Sequence, residues 1–189
     1  MLTSMQIRQL ESQDLPTLKA FADETIGRNY FSDAELEQVF QKSLAIPEGI
    51  MCSFVLVDDN NQIQGMRLAF PPGAWSAGKG NKLRPDLWNV PMESVAYFQS
   101  LFVAPAFRQD GWGPKLSEAA IAAFKKLGAK AIVTHAWKES PHNSSLRYLT
   151  SFGFQEVATH PEYWINVDYE CILDGKPCRC TAVEMIKYI

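Results

Sequence analysis

The stretch from Leu101 to Leu116, LFVAPAFRQDGWGPKL, limits what this chain can fold into more than any other. An apolar strand, Val95–Val103, runs into a turn carrying Gly111 and Gly113, and a helix over 113–127 begins at once. Glycines let the backbone turn with positive φ and gather several N–H groups on one side. The unsatisfied N–H groups of the following helix add a partial positive charge, so the junction suits a diphosphate. A Walker loop needs Gly-x4-Gly-Lys-Ser/Thr, whereas Gly113 is followed by Pro114, Lys115 and Leu116. A dinucleotide loop wants a third glycine where Leu116 stands. The plainer alternative is a glycine-rich connection with no ligand.

The flanking periodicities give the architecture. Residues 5–10 read as a strand, and Asp14 before Leu15-Pro16 opens a helix bearing Leu15, Leu18, Phe21 and Ala22 on one face. Ser32 or Asp33 opens a second, with Leu36, Val39, Phe40 and Leu44 inward. Residues 52–57 and 62–70 flank Asp58-Asp59-Asn60-Asn61 as a hairpin. Ala131–Trp137 is a strand, 142–152 a helix closed by Gly153, and the remainder reads as strands around an Asp174-Gly175 turn, ending in 183–189. Strands and helices alternate in the centre and hairpins sit at both ends, which predicts an α/β domain around one mixed sheet.

Composition narrows the function. At 189 residues the chain is one domain, able to fold without disulfides or metal. A net charge of −3 offers no basic field for nucleic acid. No apolar run approaches the roughly 20 residues that span a bilayer, and the first ten residues lack the pattern of a secretion signal. With four cysteines, Cys52, Cys171, Cys178 and Cys180, unevenly placed, the expectation is a cytoplasmic protein with reduced thiols.

Leu101-x-Val103-x-Pro105-x-x-Arg108-x-x-Gly111-x-Gly113 resembles the acyl-CoA signature Arg/Gln-x-x-Gly-x-Gly/Ala of the GNAT superfamily of N-acyltransferases. The helix after it, the strand Ala131–Trp137 and the segment from His142 to Gly153-Phe154 resemble that family's second motif. The resemblance is detailed over residues 95–154 and topological elsewhere. It implies a GNAT fold, a mixed, mostly antiparallel sheet flanked by helices on both faces, and acetyl-CoA as donor without a metal. The backbone of Arg108, Gln109, Asp110, Gly111, Trp112 and Gly113 would hold the pyrophosphate. The main chain of Leu101, Phe102 and Val103 would pair with the pantetheine arm, and the gap beside Ala131–Trp137 would take the thioester. The acceptor would be a primary amine; dimers are common in the family.

An amine must be neutral to attack a thioester: at pH 7 this costs a lysine about 4.6 kcal/mol and an α-amine about 1.4 kcal/mol. The family's usual tyrosine acid falls at Leu149; Tyr148 beside it is turned about 100° away along a helix. In the resemblance to the ribosomal-protein N-terminal branch, Ser145 takes the acid position, and water is a further option. Candidate bases are Glu93 at the entrance to the central strand, Gln99 within it, and His135 near the end of the next. The usual asparagine of the second motif falls at His142, next to Asn143; either one caps the helix or contacts the CoA arm. Residues 71–94, with Trp75, Trp88, Lys79, Lys82 and Arg84, read as a substrate loop or as a loop whose tryptophans pack locally. Cys171-x6-Cys178-x-Cys180 has the look of a metal site lacking its fourth ligand, which His160 or Asp174 would have to supply; ordinary reduced thiols are expected. Without the tyrosine and an obvious base, the rival to an enzyme is a catalytically silent acyl-CoA-binding or interaction domain.

Overall fold

The alternating strands stack into one sheet because each presents an apolar face to helices on either side. The computed structural model describes residues 4–75 and 79–189. In chain order these form β1 (Gln6–Gln9), α1 (Leu15–Thr25), α2 (Asp33–Ser43), β2 (Phe54–Val57), β3 (Ile63–Phe70), β4 (Val95–Val103), α3 (Trp112–Lys126), β5 (Ala131–Trp137), α4 (Ser144–Ser151), β6 (Gln155–His160) and β7 (Ala182–Tyr188), with short two-residue ribbons between them. The seven-stranded sheet runs β1-β2-β3-β4-β5-β7-β6. Only β4 and β5 are parallel, and every other neighbouring pair is antiparallel. This is the expected mixed, mostly antiparallel α/β architecture.

Local chemistry sets the helix starts. Asp14, 3% exposed, precedes α1 and grips both Arg8 guanidinium nitrogens at 2.7 and 2.8 Å while accepting from the Glu11 N–H. Burial would raise its carboxyl, yet those donors outweigh it and hold the pKa below the usual carboxylate range. Ser32 caps α2 reciprocally with Glu35: its hydroxyl accepts from the Glu35 N–H at 3.2 Å and its own N–H donates to the Glu35 carboxylate at 2.8 Å. Leu18, Phe21, Leu36 and Val39 of α1 and α2 pack with Val55, Met66 and Leu68 on one face of the sheet. Ala120, Phe124 and Leu149 of α3 and α4 pack with Phe98, Ile132 and Ala136 on the other. Among the described residues no helix is long and apolar enough to cross a membrane.

Two expectations change. Within 71–94, residues 76–78 lie outside the described residues. The tryptophans of the rest are core: Trp75 stacks on Tyr97 with centroids 4.7 Å apart, and Trp88 is 0% exposed. Lys79 donates to the Tyr30 carbonyl and pairs with Glu35. The segment is a strap drawn inward by its aromatics. The stretch 161–181 is mostly turns rather than strands, since Pro161, Gly175 and Pro177 interrupt any ladder; only Glu170–Cys171 pairs, with Gly27–Arg28. Cys178 and Cys180 therefore do not lie on a strand.

Candidate active site

The groove arises where β4 and β5 part. They pair from Val95↔Ala131 to Phe98↔Thr134, and the Thr134 hydroxyl clamps that last rung by donating to the Phe98 carbonyl at 2.9 Å. Gln99 is then an extra residue against β3, where Leu68↔Ser100 is followed by Ala69↔Phe98. Such a bulge bends its strand and ends pairing. Beyond it β4 stays with β3 while β5 stays with β7, from Ala131↔Tyr188 to Trp137↔Ala182. The wedge between them opens into a groove of about 1180 Å³.

One end is built from backbone. Gln109 and Gly111 take positive φ, 73° and 79°, and α3 starts directly after them with no side chain capping its N-terminus. A Cβ on Gly113 would point into the groove, 3.6 Å from Leu101 and 3.9 Å from Tyr148, so glycine keeps this approach to the backbone open. Leu101, Phe102, Val103, Arg108, Gln109, Gly111, Trp112 and Gly113 all line the groove. Asp110 and Asn143 do not. Asp110 is exposed on the outside of the turn. Asn143 follows His142, both with left-handed backbone, and lies instead beside a shallow depression with Leu146 and Thr150. His142, not Asn143, reaches the groove.

The groove wall holds a cation that sequence reasoning missed. Arg67 on β3 is 2% exposed, donates to the Ser117 hydroxyl of α3 at 2.8 and 3.3 Å, and lies 3.9 Å over the Phe98 ring. Burial pulls its pKa down to about 10. The Tyr148 hydroxyl donates to the same Ser117 oxygen at 2.8 Å. Tyr148 and Leu149 both line the groove, Leu149 with only 5% of its surface exposed. The only sequence signal for Arg67 was a charge inside an otherwise apolar strand.

The candidate acid and bases fare differently. Ser145 lines the groove at the end of β5; its oxygen accepts the Trp137 N–H at 3.1 Å, a bond that leaves the hydroxyl proton uncommitted. Glu93 is a correction: it is exposed in a turn before β4 and does not line the groove. Gln99 lines it, at the bulge. His135 reaches the floor, but both its ring nitrogens are engaged. Nε2 lies 2.8 Å from the Lys82 carbonyl and must donate there, so Nδ1 accepts from the Tyr97 hydroxyl at 2.7 Å. Burial pushes its pKa down to about 4, and burial likewise pushes Tyr97 well above its ordinary value. Behind it lies a fully buried carboxylate, Glu184 on β7, which accepts from the Arg84 backbone at 3.0 Å, the Trp88 indole at 2.6 Å and His160 at 2.7 Å. Spacing could not foretell Glu184, whose partners lie 100, 96 and 24 residues away.

The far end of the groove is walled by Ile26, Tyr30, Trp164, Tyr169, Cys171 and Ile172, from the end of α1 and from 161–181. Its charged lining is cationic, Arg67, Arg108 and Arg147, and among the described residues no Asp or Glu lines it.

This architecture has many counterparts. The chain matches the structure of the ribosomal-protein-S18-alanine N-acetyltransferase from Escherichia coli at 16% identity and a TM-score of 0.65, over 98% of this chain and 94% of that one. It matches Arabidopsis thaliana NAA60 in complex with acetyl-CoA at 13% identity and a TM-score of 0.72, over 98% and 99%. A GCN5-related N-acetyltransferase from Kribbella flavida matches at 22% identity and a TM-score of 0.62, over 98% of each chain. No curated protein matches the chain. The sequence model of the acetyltransferase (GNAT) family matches residues 7–154. With the split sheet and the glycine turn at the head of α3, this places the chain in the GNAT acetyltransferase family.

Proposed function

We propose that the protein transfers an acetyl group from acetyl-CoA to a primary α-amine, at a peptide N-terminus or on a small molecule, by direct attack. The observation that carries this reading is the groove itself. It runs from the exposed backbone at the start of α3, along the unpaired half of β4, to an aromatic end without carboxylates. The backbone of Arg108–Gly113 holds the pyrophosphate and the main chain of Leu101–Val103 pairs with the pantetheine. Polycationic acceptors require carboxylates to receive them, so the lining favours an acceptor with one amine and an uncharged neighbour. Two similar structures, a ribosomal-protein-S18-alanine N-acetyltransferase and a complex with acetyl-CoA, support the same reading.

In the reaction the neutral amine attacks the thioester carbon, backbone N–H groups at the β4 bulge steady the oxyanion, and the C–S bond then breaks. The Ser145 hydroxyl passes a proton to the leaving thiolate and regains one from groove water, so the proton lost by the amine balances the one gained by CoA. The amine's proton leaves to groove water, because Tyr97 occupies the acceptor nitrogen of His135 and Glu93 stands outside. An α-amine needs only about 1.4 kcal/mol to be neutral at pH 7, so no strong base is required.

The test is thermal unfolding with acetyl-CoA, followed by CoA release across an amine panel. Ligand at about 100 times its Kd adds roughly 2.7 kcal/mol, a Tm shift on the order of 5–11 °C for a chain this size. ATP and NAD should give none. Peptide N-termini should then release CoA faster than polyamines or aminoglycosides, and Ser145→Ala should lower kcat roughly tenfold with binding unchanged. A shift without turnover on any amine would instead establish the silent binding domain.

A further inference from the structure

We propose that Cys171, Cys178 and Cys180, with Asp174 as fourth ligand, form a structural zinc site that pins the 161–181 segment in place. Among the described residues two groups bring three metal-ligating atoms within 4.8 Å of one another: these three sulfurs, and His135, His160 and Glu184. The second group is already saturated. Glu184 accepts from Trp88, His160 and the Arg84 N–H, and His135 is held by Tyr97 and the Lys82 carbonyl. A metal there would have to displace good hydrogen bonds.

The thiols present the opposite case. All three are buried, at 5%, 0% and 2% exposure. Zinc–sulfur bonds of about 2.3 Å place tetrahedral sulfurs about 3.8 Å apart, a small contraction from the observed cluster. The local backbone has the form of a metal knuckle. Cys171 and Gly175 exchange two N–H···O bonds, each 2.9 Å, closing a turn with Gly175 at φ 72°. Asp174 is three residues on from Cys171, the Cys-x2-ligand spacing of zinc knuckles, and its carboxylate already sits 3.2 Å from the Cys180 sulfur.

A separate observation comes from outside the loop. The Trp137 indole N–H is buried and makes no hydrogen bond among the described residues, and the group it faces is the Cys180 sulfur. A neutral thiol is a poor acceptor; a metal-bound thiolate is a good one and would satisfy it. Three buried sulfurs with one carboxylate oxygen at the surface suit Zn²⁺ in a four-coordinate structural role. Binding replaces three S–H protons with three Zn–S bonds and releases those protons to solvent.

The site stands whether or not the groove carries an amine, and its test does not use activity. Protein purified without a metal-affinity tag should contain about one zinc per chain, and Cys178→Ser should lose most of it. Cobalt titrated into the metal-stripped wild type should give tetrahedral d–d bands and a sulfur-to-cobalt charge-transfer band, a readout independent of how well the variant folds. Chelation should lower the wild-type Tm by about 5 °C or more. A zinc content below about a tenth per chain, with no cobalt band and all thiols reacting freely after unfolding, would overturn the proposal. So would a disulfide between any two of the three.

Discussion

The two ends of the groove are built from different parts of the chain. The end at α3 is mostly main chain, contributed by one continuous stretch, Leu101 to Gly113. The far end is mostly side chains, from Thr25–Tyr30, Thr134–Trp137 and Trp164–Ile172, brought together only by the fold. Recognition by backbone is fixed by local spacing and cannot drift one side chain at a time. A wall assembled from separate turns can change residue by residue while the sheet stays as it is.

The largest way to break that contrast is to put a side chain on the backbone end. Gly113→Leu should leave the fold intact, since leucine favours a helix over glycine, yet it should cost at least roughly a hundredfold in acetyl-CoA affinity by calorimetry. Next is acid. His135 is held neutral with a pKa of about 4, against 6.5 when unfolded, so the unfolded chain takes up the proton first as pH falls. Its contribution is complete above about pH 6.5 and is lost towards pH 4; denaturant unfolding should show a loss of about 3 kcal/mol, absent in His135→Gln. A smaller effect is expected at the far wall. Trp164→Ala should raise the acceptor KM roughly tenfold while acetyl-CoA binds as before, and equal losses for both substrates would erase the distinction between the ends. Smallest is Tyr148→Phe, which removes the bond to Ser117 beside Arg67 and should cost about 1 kcal/mol in unfolding free energy.

The sequence was most legible where spacing is local. Val95–Val103 and Ala131–Trp137 read to the residue, and α3 begins one residue before the expected 113. The cradle followed from the glycines because positive φ and an uncapped helix start are properties of neighbours in the chain. Asp110 and Asn143 each follow a left-handed residue, Gln109 and His142, and neither lines the groove. Arg67 and Glu184 were beyond reach, whereas the short spacing of Cys171, Cys178 and Cys180 had already marked the sulfur cluster. Arg67 and Glu184 acquire their roles from partners on other strands or turns, and periodicity carries no record of those meetings. The 71–94 segment stayed open in the sequence because tryptophans with lysines and arginines suit a ligand cage and a core plug equally well; burial of Trp75 and Trp88 decides for local packing.

The parting of β4 from β5 has a consequence for the protein's life without ligand. The free half of β4 is a sheet edge placed in the middle of the sheet, and exposed edges invite pairing with other chains. Here α3 and α4 flank it on one face, and α1 with the turns of 161–181 flank it on the other. A second protein's strand, with side chains on both faces, is too bulky for that slot, whereas a narrow, unbranched arm with amide groups of its own can enter. That enclosure guards the molecule against edge-to-edge aggregation. Loosening the 161–181 wall should expose that edge before it unfolds the sheet.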